Sequence, residues 1–175
     1  MILSFLATAV SCYDIAYLNL DSRSDRNNEI IAELPEKNKT RVSGFQITSS
    51  VLHHKKANAV HTAAIGCNLG HVAILAKFLH SKKHLLVLED DAKFLTKNVD
   101  DLLCNFGGDV LLLGYNSGND SCNATMCRIR HAQTTSAYFV RDHYKKVLLH
   151  NFLEGTAMMA AGYPRSKWCV DQHWK

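Results

Sequence analysis

The feature that most constrains the fold is an uninterrupted apolar run, residues 85–88, followed at once by Glu89, Asp90 and Asp91. A strand exposed on one face alternates apolar and polar residues, whereas a strand covered on both faces of a parallel sheet is apolar throughout. The run therefore predicts a central strand that helices cover from both sides, with three carboxylates at its end.

Strand-like and helix-like segments alternate along the rest of the chain. Five segments have the apolar, β-branched or aromatic content of strands: 13–20, 40–45, 84–90, 109–115 and 134–140. Four segments have the spacing or the end signals of helices: the run that Pro35 ends, 67–80, 98–106 and 142–151, the last capped by Asp142. Residues 46–62 show no clear period and are predicted as loop. We expect an α/β fold with a mainly parallel central sheet flanked by helices.

Length and composition predict one domain, residues 13–175, because 175 residues with 47% hydrophobic content suffice for one core and are few for two. Residues 1–12 are apolar but shorter than the roughly 20 residues that cross a bilayer. They are either a signal peptide cut near Ser11 or an N-terminal strand or helix. The opening run is too short for a transmembrane segment, and we expect none. The formal charge of +4 is not concentrated in a basic block, so we also expect no nucleic-acid partner.

The cysteines and the glycosylation motifs bear on the compartment. None of the six cysteines has metal-finger spacing, and Cys67 and Cys104 are predicted to be buried free thiols. Cys122 and Cys127 are expected to form a disulfide in an oxidising compartment. Three N-x-[ST] motifs, at Asn38, Asn119 and Asn123, favour the secretory pathway slightly over the cytoplasm.

The carboxylates at the end of the apolar run are the candidate site. Ligands of α/β sheets bind beyond the carboxyl ends of the strands. Adjacent carboxylates repel one another and become favourable around a divalent cation or a set of hydroxyls. Since alternate residues of a strand share a face, Glu89 and Asp91 are expected to point together and Asp90 away. This pattern suits a metal that holds a nucleotide diphosphate; the alternative is an acidic turn that caps the next segment.

Six segments resemble, in the same order, those of the family 25 glycosyltransferases, which include bacterial lipooligosaccharide and procollagen galactosyltransferases. They are 15–26, 64–75, 85–94, 109–115, 134–149 and 170–174. The resemblance implies a GT-A-like fold, a UDP-galactose or UDP-glucose donor, Mn²⁺, and inversion at the anomeric carbon. It also implies a glycan or hydroxylysine-type hydroxyl as the acceptor.

The same resemblance assigns roles in the first half of the chain. Glu89 and Asp90 are implied to contact the donor, and Glu89 and Asp91 to bind the metal. Arg23 and Arg26 are implied to contact the diphosphate or uracil, and the planar fork of arginine suits phosphate. A solvated loop charge is the alternative for both arginines.

Further roles fall on the helical segment and the last residues. His71 matches a family histidine and is implied to contact the donor, or else it packs at a helix end, while Gly70 stands where the family commonly has serine. Asp171 is implied to be the catalytic base and His173 a metal ligand. Family members usually run longer, so the chain is expected to be a minimal enzyme, a fragment or a degenerate copy.

Two other functions are compatible with the acidic strand end. A catalytically inactive relative that serves as a binding or adhesion module would keep the fold and these carboxylates. A metal-dependent phosphoesterase would also place carboxylates at strand ends, but it needs a richer His/Asp set around a second metal.

Overall fold

The structure, a computed structural model, describes residues 11–52, 58–96, 99–114, 121–123, 126–128 and 133–173. The predictions made for residues 1–10 and for Asn119 lie outside these residues, as does the last residue of the predicted strand 109–115. Of the other two glycosylation motifs, the described asparagines Asn38 and Asn123 are both exposed.

The described residues form an α/β domain whose strands belong to two sheets. The strands are β1 (Tyr13–Asn19), β2 (Thr40–Ser43), β3 (His84–Glu89), β4 (Val110–Leu112), β5 (Ser121–Cys122), β6 (Cys127–Arg128) and β7 (Ala137–Val140). The main sheet has the order β2-β1-β3-β7-β4, and β5 and β6 form a separate hairpin. The predicted α/β class is confirmed, with β3 at the centre of the main sheet.

The main sheet is mixed, so the prediction of a mainly parallel sheet is wrong. Strand β1 pairs in parallel with β2 and β3, whereas β7 pairs antiparallel with both β3 and β4. The apolar run of β3 indicates only that helices cover both of its faces, and it carries no information on the direction of the neighbouring strand. Strand β7 is itself buried along its whole length while running the opposite way.

The helices are α1 (Ser24–Glu33), α2 (Ala59–Lys77), α3 (Asp100–Cys104), α4 (Lys145–Ala160) and α5 (Arg165–Trp168). Helix α2 begins well before the predicted start at residue 67, because Asn58 caps it by accepting a hydrogen bond from the backbone N–H of His61 at 2.9 Å. Helix α4 also differs from its prediction: Asp142 opens a 3₁₀ turn without capping, and the helix runs on to Ala160.

The core lies on both faces of the main sheet. Leu85 and Val87 of β3 face the cluster that includes α2 and α4, and Leu86 and Leu88 face the cluster that includes α1 and α3. All four side chains are fully buried. The two-sided coverage predicted from the apolar run is therefore confirmed.

Helix α2 is long and apolar enough to pass a length-and-composition test for a membrane span, with a mean hydropathy of 1.4. It is the one such helix in the described part of the chain. It packs against α4 and against β1 and β2, and 56% of the tested stretch is buried inside the protein. This is the position of a core helix in a folded domain.

Two disulfides are present, Cys12–Cys104 and Cys122–Cys127, and Cys67 and Cys169 are free. The expected Cys122–Cys127 bond is confirmed, whereas the prediction of a free thiol at Cys104 is wrong. Cys12 and Cys104 are 92 residues apart in sequence, and their Cα atoms are 5.9 Å apart because α3 packs beside the start of β1. A local sequence pattern cannot reveal such a long-range contact.

Candidate functional site

A cleft of about 420 Å³ opens beyond the carboxyl ends of the three parallel strands β1, β2 and β3. The chain leaves β1 through α1 toward β2 and returns through α2 to β3, so the strand order reverses between β1 and β3. Such a switch point is where α/β sheets bind ligands. The volume lies in the range of small-molecule sites. The lining residues are Leu18, Asn19, Leu20, Arg23, Arg26, Gly44, Phe45, Gln46, Ile47, Ala59, Thr62, Ala63, Gly66, Cys67, Glu89, Asp90 and Asp91.

Two glycines bring α2 close to the strands that form the cleft. A Cβ atom at Gly66 would lie 2.2 Å from the carbonyl oxygen of Phe45, which no side chain can do without moving the backbone. A Cβ atom at Gly70 would lie 2.5 Å from Leu18 Cδ1. A serine at position 70 would therefore displace the Leu18 side chain.

Arg26 joins two of the three carboxylates. Its Nη1 atom donates to Asp90 Oδ1 at 3.1 Å and to Asp91 Oδ2 at 3.0 Å. Asn19 Nδ2 also donates to Asp90 Oδ2 at 2.8 Å. The expectation that Asp90 points away from Asp91 is wrong, because β3 ends at Glu89 and the chain turns at the next two residues. The alternation of a strand therefore does not extend to them.

The other arginines of this region also have carboxylate partners. Arg23 Nη2 lies 2.7 Å from Asp25 Oδ2, and hydrogen bonding to Arg23 lowers the pKa of Asp25 to about 2. Arg41 Nη2 donates to Asp21 Oδ1 at 2.6 Å, and its Nε donates to Asn19 Oδ1 at 3.0 Å. The cleft mouth is thus a network of alternating charges.

Glu89 forms a separate group at the floor of the cleft. Its Oε1 atom lies 3.3 Å from His71 Nε2 and accepts a hydrogen bond from the Thr135 hydroxyl. His71 Nδ1 lies 3.2 Å from the hydroxyl of Tyr138, and the His71 side chain is fully buried. Burial raises the pKa of Glu89, but the contacts with His71, then Thr135, and the charge of Arg26 outweigh it, so the net pKa is lowered. Glu89 is therefore a carboxylate at neutral pH.

Cys67 lies in this floor group, one helical turn before His71. The Cys67 Sγ, a ring nitrogen of His71 and a carboxylate oxygen of Glu89 all lie within 4.8 Å of one another. Burial, then the charge of Glu89, raises the pKa of the Cys67 thiol. Asp171 contributes to the same rise, and it also hydrogen-bonds Cys169, whose pKa burial and Asp171 raise to about 12. The predicted base Asp171 thus stands beside the two free cysteines rather than among the described residues that line the cleft.

The predicted metal ligands Glu89, Asp91 and His173 do not come together. His173 is buried, and its Nε2 atom lies 3.2 Å from Glu154 Oε2 of helix α4. Asp91 pairs with Arg26, and within the described ranges the one group of three metal-ligating side chains is the floor group. As a set, these three residues do not fit one Mn²⁺ ion in this structure.

Three site residues escaped the sequence interpretation: Asn19, Cys67 and Thr135. Asn19 is the last residue of β1, and its position at a strand end was a usable signal. Cys67 stands four residues before His71 in a helix, a spacing that places both on one face. Thr135 reaches Glu89 because β7 pairs with β3, which only the tertiary structure shows.

Comparisons with protein-family models and with curated proteins give no match. No protein-family model matches the chain, and no curated protein matches it at a significant level. The case for a function therefore rests on the residues and geometry of the cleft and on the resemblance of the six segments.

Proposed function

We propose that the chain is a glycosyltransferase that moves a hexose, galactose or glucose, from a UDP-sugar to a hydroxyl of a glycan or of a hydroxylysine-type side chain. The observation that carries the proposal is the cleft at the carboxyl ends of β1 and β3, which combines arginines, carboxylates and a volume suited to a small molecule. The resemblance of six ordered segments to family 25 glycosyltransferases, with their GT-A-like fold, supports the same class.

In this proposal the diphosphate of the donor binds to Arg23 and Arg26. Their side chains are 41% and 35% exposed, so both are accessible from the cleft. Each now pairs with carboxylates, and a diphosphate would draw them into bidentate hydrogen bonds. Asp90 and Asp91 would then be free to accept hydrogen bonds from the hydroxyls of the ribose or the sugar.

The transfer itself is a displacement at the anomeric carbon. The acceptor oxygen forms a new bond to that carbon as the carbon–oxygen bond to the diphosphate breaks, and UDP leaves with the electron pair. The proton of the acceptor hydroxyl passes to a base, for which the resemblance implies Asp171; this carboxylate lies beside Cys67, a residue that lines the cleft. Attack from the opposite face converts an α-linked donor into a β-linked product. Positioning and the arginine charges lower the barrier.

Metal dependence is a separate part of the proposal. The Mn²⁺ implied by the resemblance would neutralise charge on the leaving diphosphate. His173 pairs with Glu154 and is therefore not among the ligands proposed for that ion. Asp91, which is half exposed at the cleft mouth, is the carboxylate through which metal dependence can be tested.

The disulfides support a proposal for the compartment. Two disulfides in one small domain are typical of proteins that fold in an oxidising environment. We therefore propose the secretory pathway, where sugar acceptors of the implied kind also occur.

The test is a screen of UDP-sugars with and without Mn²⁺, reading free UDP in the presence and absence of candidate acceptors. The wild-type chain should release UDP from at least one donor, and Asp91→Asn should abolish this turnover while leaving the thermal unfolding midpoint nearly unchanged. Asp101→Asn, which removes an exposed carboxylate of α3, is the matched control and should keep full activity. Equal activity of the Asp91 variant would refute the role of Asp91.

A catalytically inactive binding module is the second candidate, and one observation favours it. The carboxylates Asp90 and Asp91 are already paired with Arg26, and Asp171 is set back beside the cysteines. Such a module would bind UDP in a calorimetric titration but release no UDP from any donor, with or without acceptor. Turnover above the uncatalysed rate would exclude it.

A further inference from the structure

We propose that Cys67, His71 and Glu89 form a binding site for one borderline-soft divalent cation, Zn²⁺ first of all, with an open coordination position that faces the cleft. This inference goes beyond the proposed transfer reaction, because it requires neither a nucleotide nor a sugar. It also concerns a different ligand set from Glu89, Asp91 and His173.

The three ligands come from two rigid elements. Cys67 and His71 are four residues apart on α2, so their side chains project from the same face of the helix. Glu89 is the last residue of β3, which is hydrogen-bonded on both sides in the sheet. A site on a helix and a central strand is held more firmly than a site on loops.

The distances suit one ion. The ligand atoms lie within 4.8 Å of one another. Zn²⁺ bonds of roughly 2.0–2.3 Å in a tetrahedral arrangement place ligand atoms about 3.5 Å apart. A contraction of about an ångström, within the reach of side-chain rotation for cysteine and glutamate, therefore closes the site around a cation.

The surroundings of His71 are those of a metal ligand. Its Nε2 atom faces Glu89, while its Nδ1 atom lies 3.2 Å from the Tyr138 hydroxyl. Histidines that bind metals nearly always use the second ring nitrogen in such a hydrogen bond, which fixes the ring orientation. The Thr135 hydroxyl likewise holds a carboxylate oxygen of Glu89. The supporting contacts are thus in place around two of the three ligands.

The ligand types determine which cation the site prefers, and the location of the site in the cleft indicates what the cation can do. A thiolate ligand favours Zn²⁺ over hard ions such as Mg²⁺ and Mn²⁺. Cys67 and Glu89 both line the cleft, so a fourth position faces the ligand space. Three protein ligands with one open position is the pattern of catalytic rather than structural zinc sites.

The test uses tag-free wild-type protein and Co²⁺ alone as a spectroscopic substitute for Zn²⁺, in a buffer without thiols. One equivalent of Co²⁺ should produce a thiolate-to-cobalt absorption band, and Zn²⁺ should abolish it by displacement while Mn²⁺ should not. Absence of the band in the wild-type protein would overturn the proposal. This measurement needs no variant, so a folding defect cannot confuse it.

Variants then locate the site. Cys67→Ser should lose the band, and Glu89→Gln should keep the band but bind Co²⁺ at least roughly tenfold more weakly. Cys169→Ser, which removes the other free cysteine, is the matched control and should retain both the band and the affinity. A band that persists in Cys67→Ser, or is lost equally in Cys169→Ser, would overturn the assignment. Circular dichroism of the metal-free variants checks that each is folded.

The outcome is separable from that of the transferase proposal. Cation binding without any UDP release would support the metal site and contradict the transferase proposal. UDP release by a protein that shows no thiolate-to-cobalt band would do the reverse.

Discussion

Both ends of the main sheet carry charged side chains, but the partners of these side chains differ between the two ends. At the amino ends of β1 and β3, the charges are engaged by the protein's own backbone and by nearby side chains, and a disulfide joins Cys12 to Cys104. At the carboxyl ends, arginines and carboxylates face one another around a cleft of about 420 Å³. The first end is closed by the fold, and the second is open to a ligand.

Lys145 shows how the amino end is closed. Its ammonium group is fully buried and donates to the carbonyl oxygens of Phe78, Ser81 and Lys83 at 2.6–3.0 Å. These carbonyls belong to the segment between α2 and β3, and Asp142 Oδ1 lies 3.1 Å from the same nitrogen. The charge is therefore compensated entirely within the protein. A buried charge with this many partners is structural.

Function is expected at the carboxyl end of the sheet, because the partners of its charged side chains can be exchanged for a ligand. Among the described residues, the partners of the Arg26 side chain are the carboxylates Asp90 and Asp91, which line the same cleft, and the Arg26 side chain is 35% exposed. A ligand that offers a better anion can replace them without breaking any backbone contact. Substitutions at the amino end should therefore change stability, and substitutions at the carboxyl end should change binding.

The largest effect is expected from removing the disulfide at the amino end. The double variant Cys12→Ser, Cys104→Ser should lose about 4 kcal/mol of unfolding free energy, because the bond closes a loop of 92 residues in the unfolded chain. Urea unfolding measures the difference. The control is removal of Cys122–Cys127, whose cysteines are only five residues apart in sequence. It should lower the unfolding free energy by about 2 kcal/mol or less. Equal losses would contradict the ranking.

The second effect concerns Lys145. Lys145→Met should lower the unfolding free energy by about 3 kcal/mol, because three carbonyl oxygens and Asp142 lose their shared partner. Thermal and urea unfolding provide the measurement, and Lys146→Met, at the exposed neighbouring position, should be close to wild type. If both variants unfold alike, the ammonium group does not hold this end together.

The third effect concerns the cleft and should appear in binding. Arg26→Gln should weaken the affinity for UDP by roughly tenfold, since one bidentate phosphate contact is lost. Its unfolding midpoint should stay near that of wild type, because the pair with Asp90 and Asp91 is solvent-exposed on the arginine side. Calorimetric titration reads the affinity. Arg128→Gln, in the hairpin of β5 and β6, is a control outside the cleft. Unchanged UDP binding in Arg26→Gln would contradict the claim that charged side chains at the carboxyl end serve in binding.

The smallest effect is the pH dependence at the amino end. Hydrogen bonds from Lys37 and then Tyr13 lower the pKa of Asp100 below its ordinary 3.8. Because the folded pKa is the lower one, the contribution is fully present above about pH 4 and is lost as the pH falls through the folded value. Asp100 is nearly half exposed, so the contribution is less than about 1 kcal/mol. Asp100→Asn should differ from wild type at pH 7 and converge with it near pH 2; a constant difference would contradict the assignment.

Local patterns predicted most of the elements and part of the site. The uninterrupted run before Glu89 predicted a strand covered on both faces, and all four of its side chains are buried. The resemblance, and not a local pattern, implied a ligand contact for Arg26, and the structure joins Arg26 to Asp90 and Asp91. The prediction of the buried strand succeeded because burial periodicity is a property of short stretches of chain.

Other features depended on contacts between distant segments. The direction of β7, the Cys12–Cys104 bond and the pairing of His173 with Glu154 have no local signal. The orientation of Asp90 was predicted wrongly because strand alternation was extended past the residue where the strand ends.

The sequence by itself determined that this chain forms an α/β domain with a buried central strand ending in carboxylates, because hydrophobic periodicity is encoded residue by residue. Only the tertiary structure decided which partner each carboxylate has: Arg26 for Asp90 and Asp91, and His71 with Thr135 for Glu89. Those partners lie on α1, α2 and the residues before β7, and hydrogen bonds act only within about 3 Å, so packing alone brings them into range.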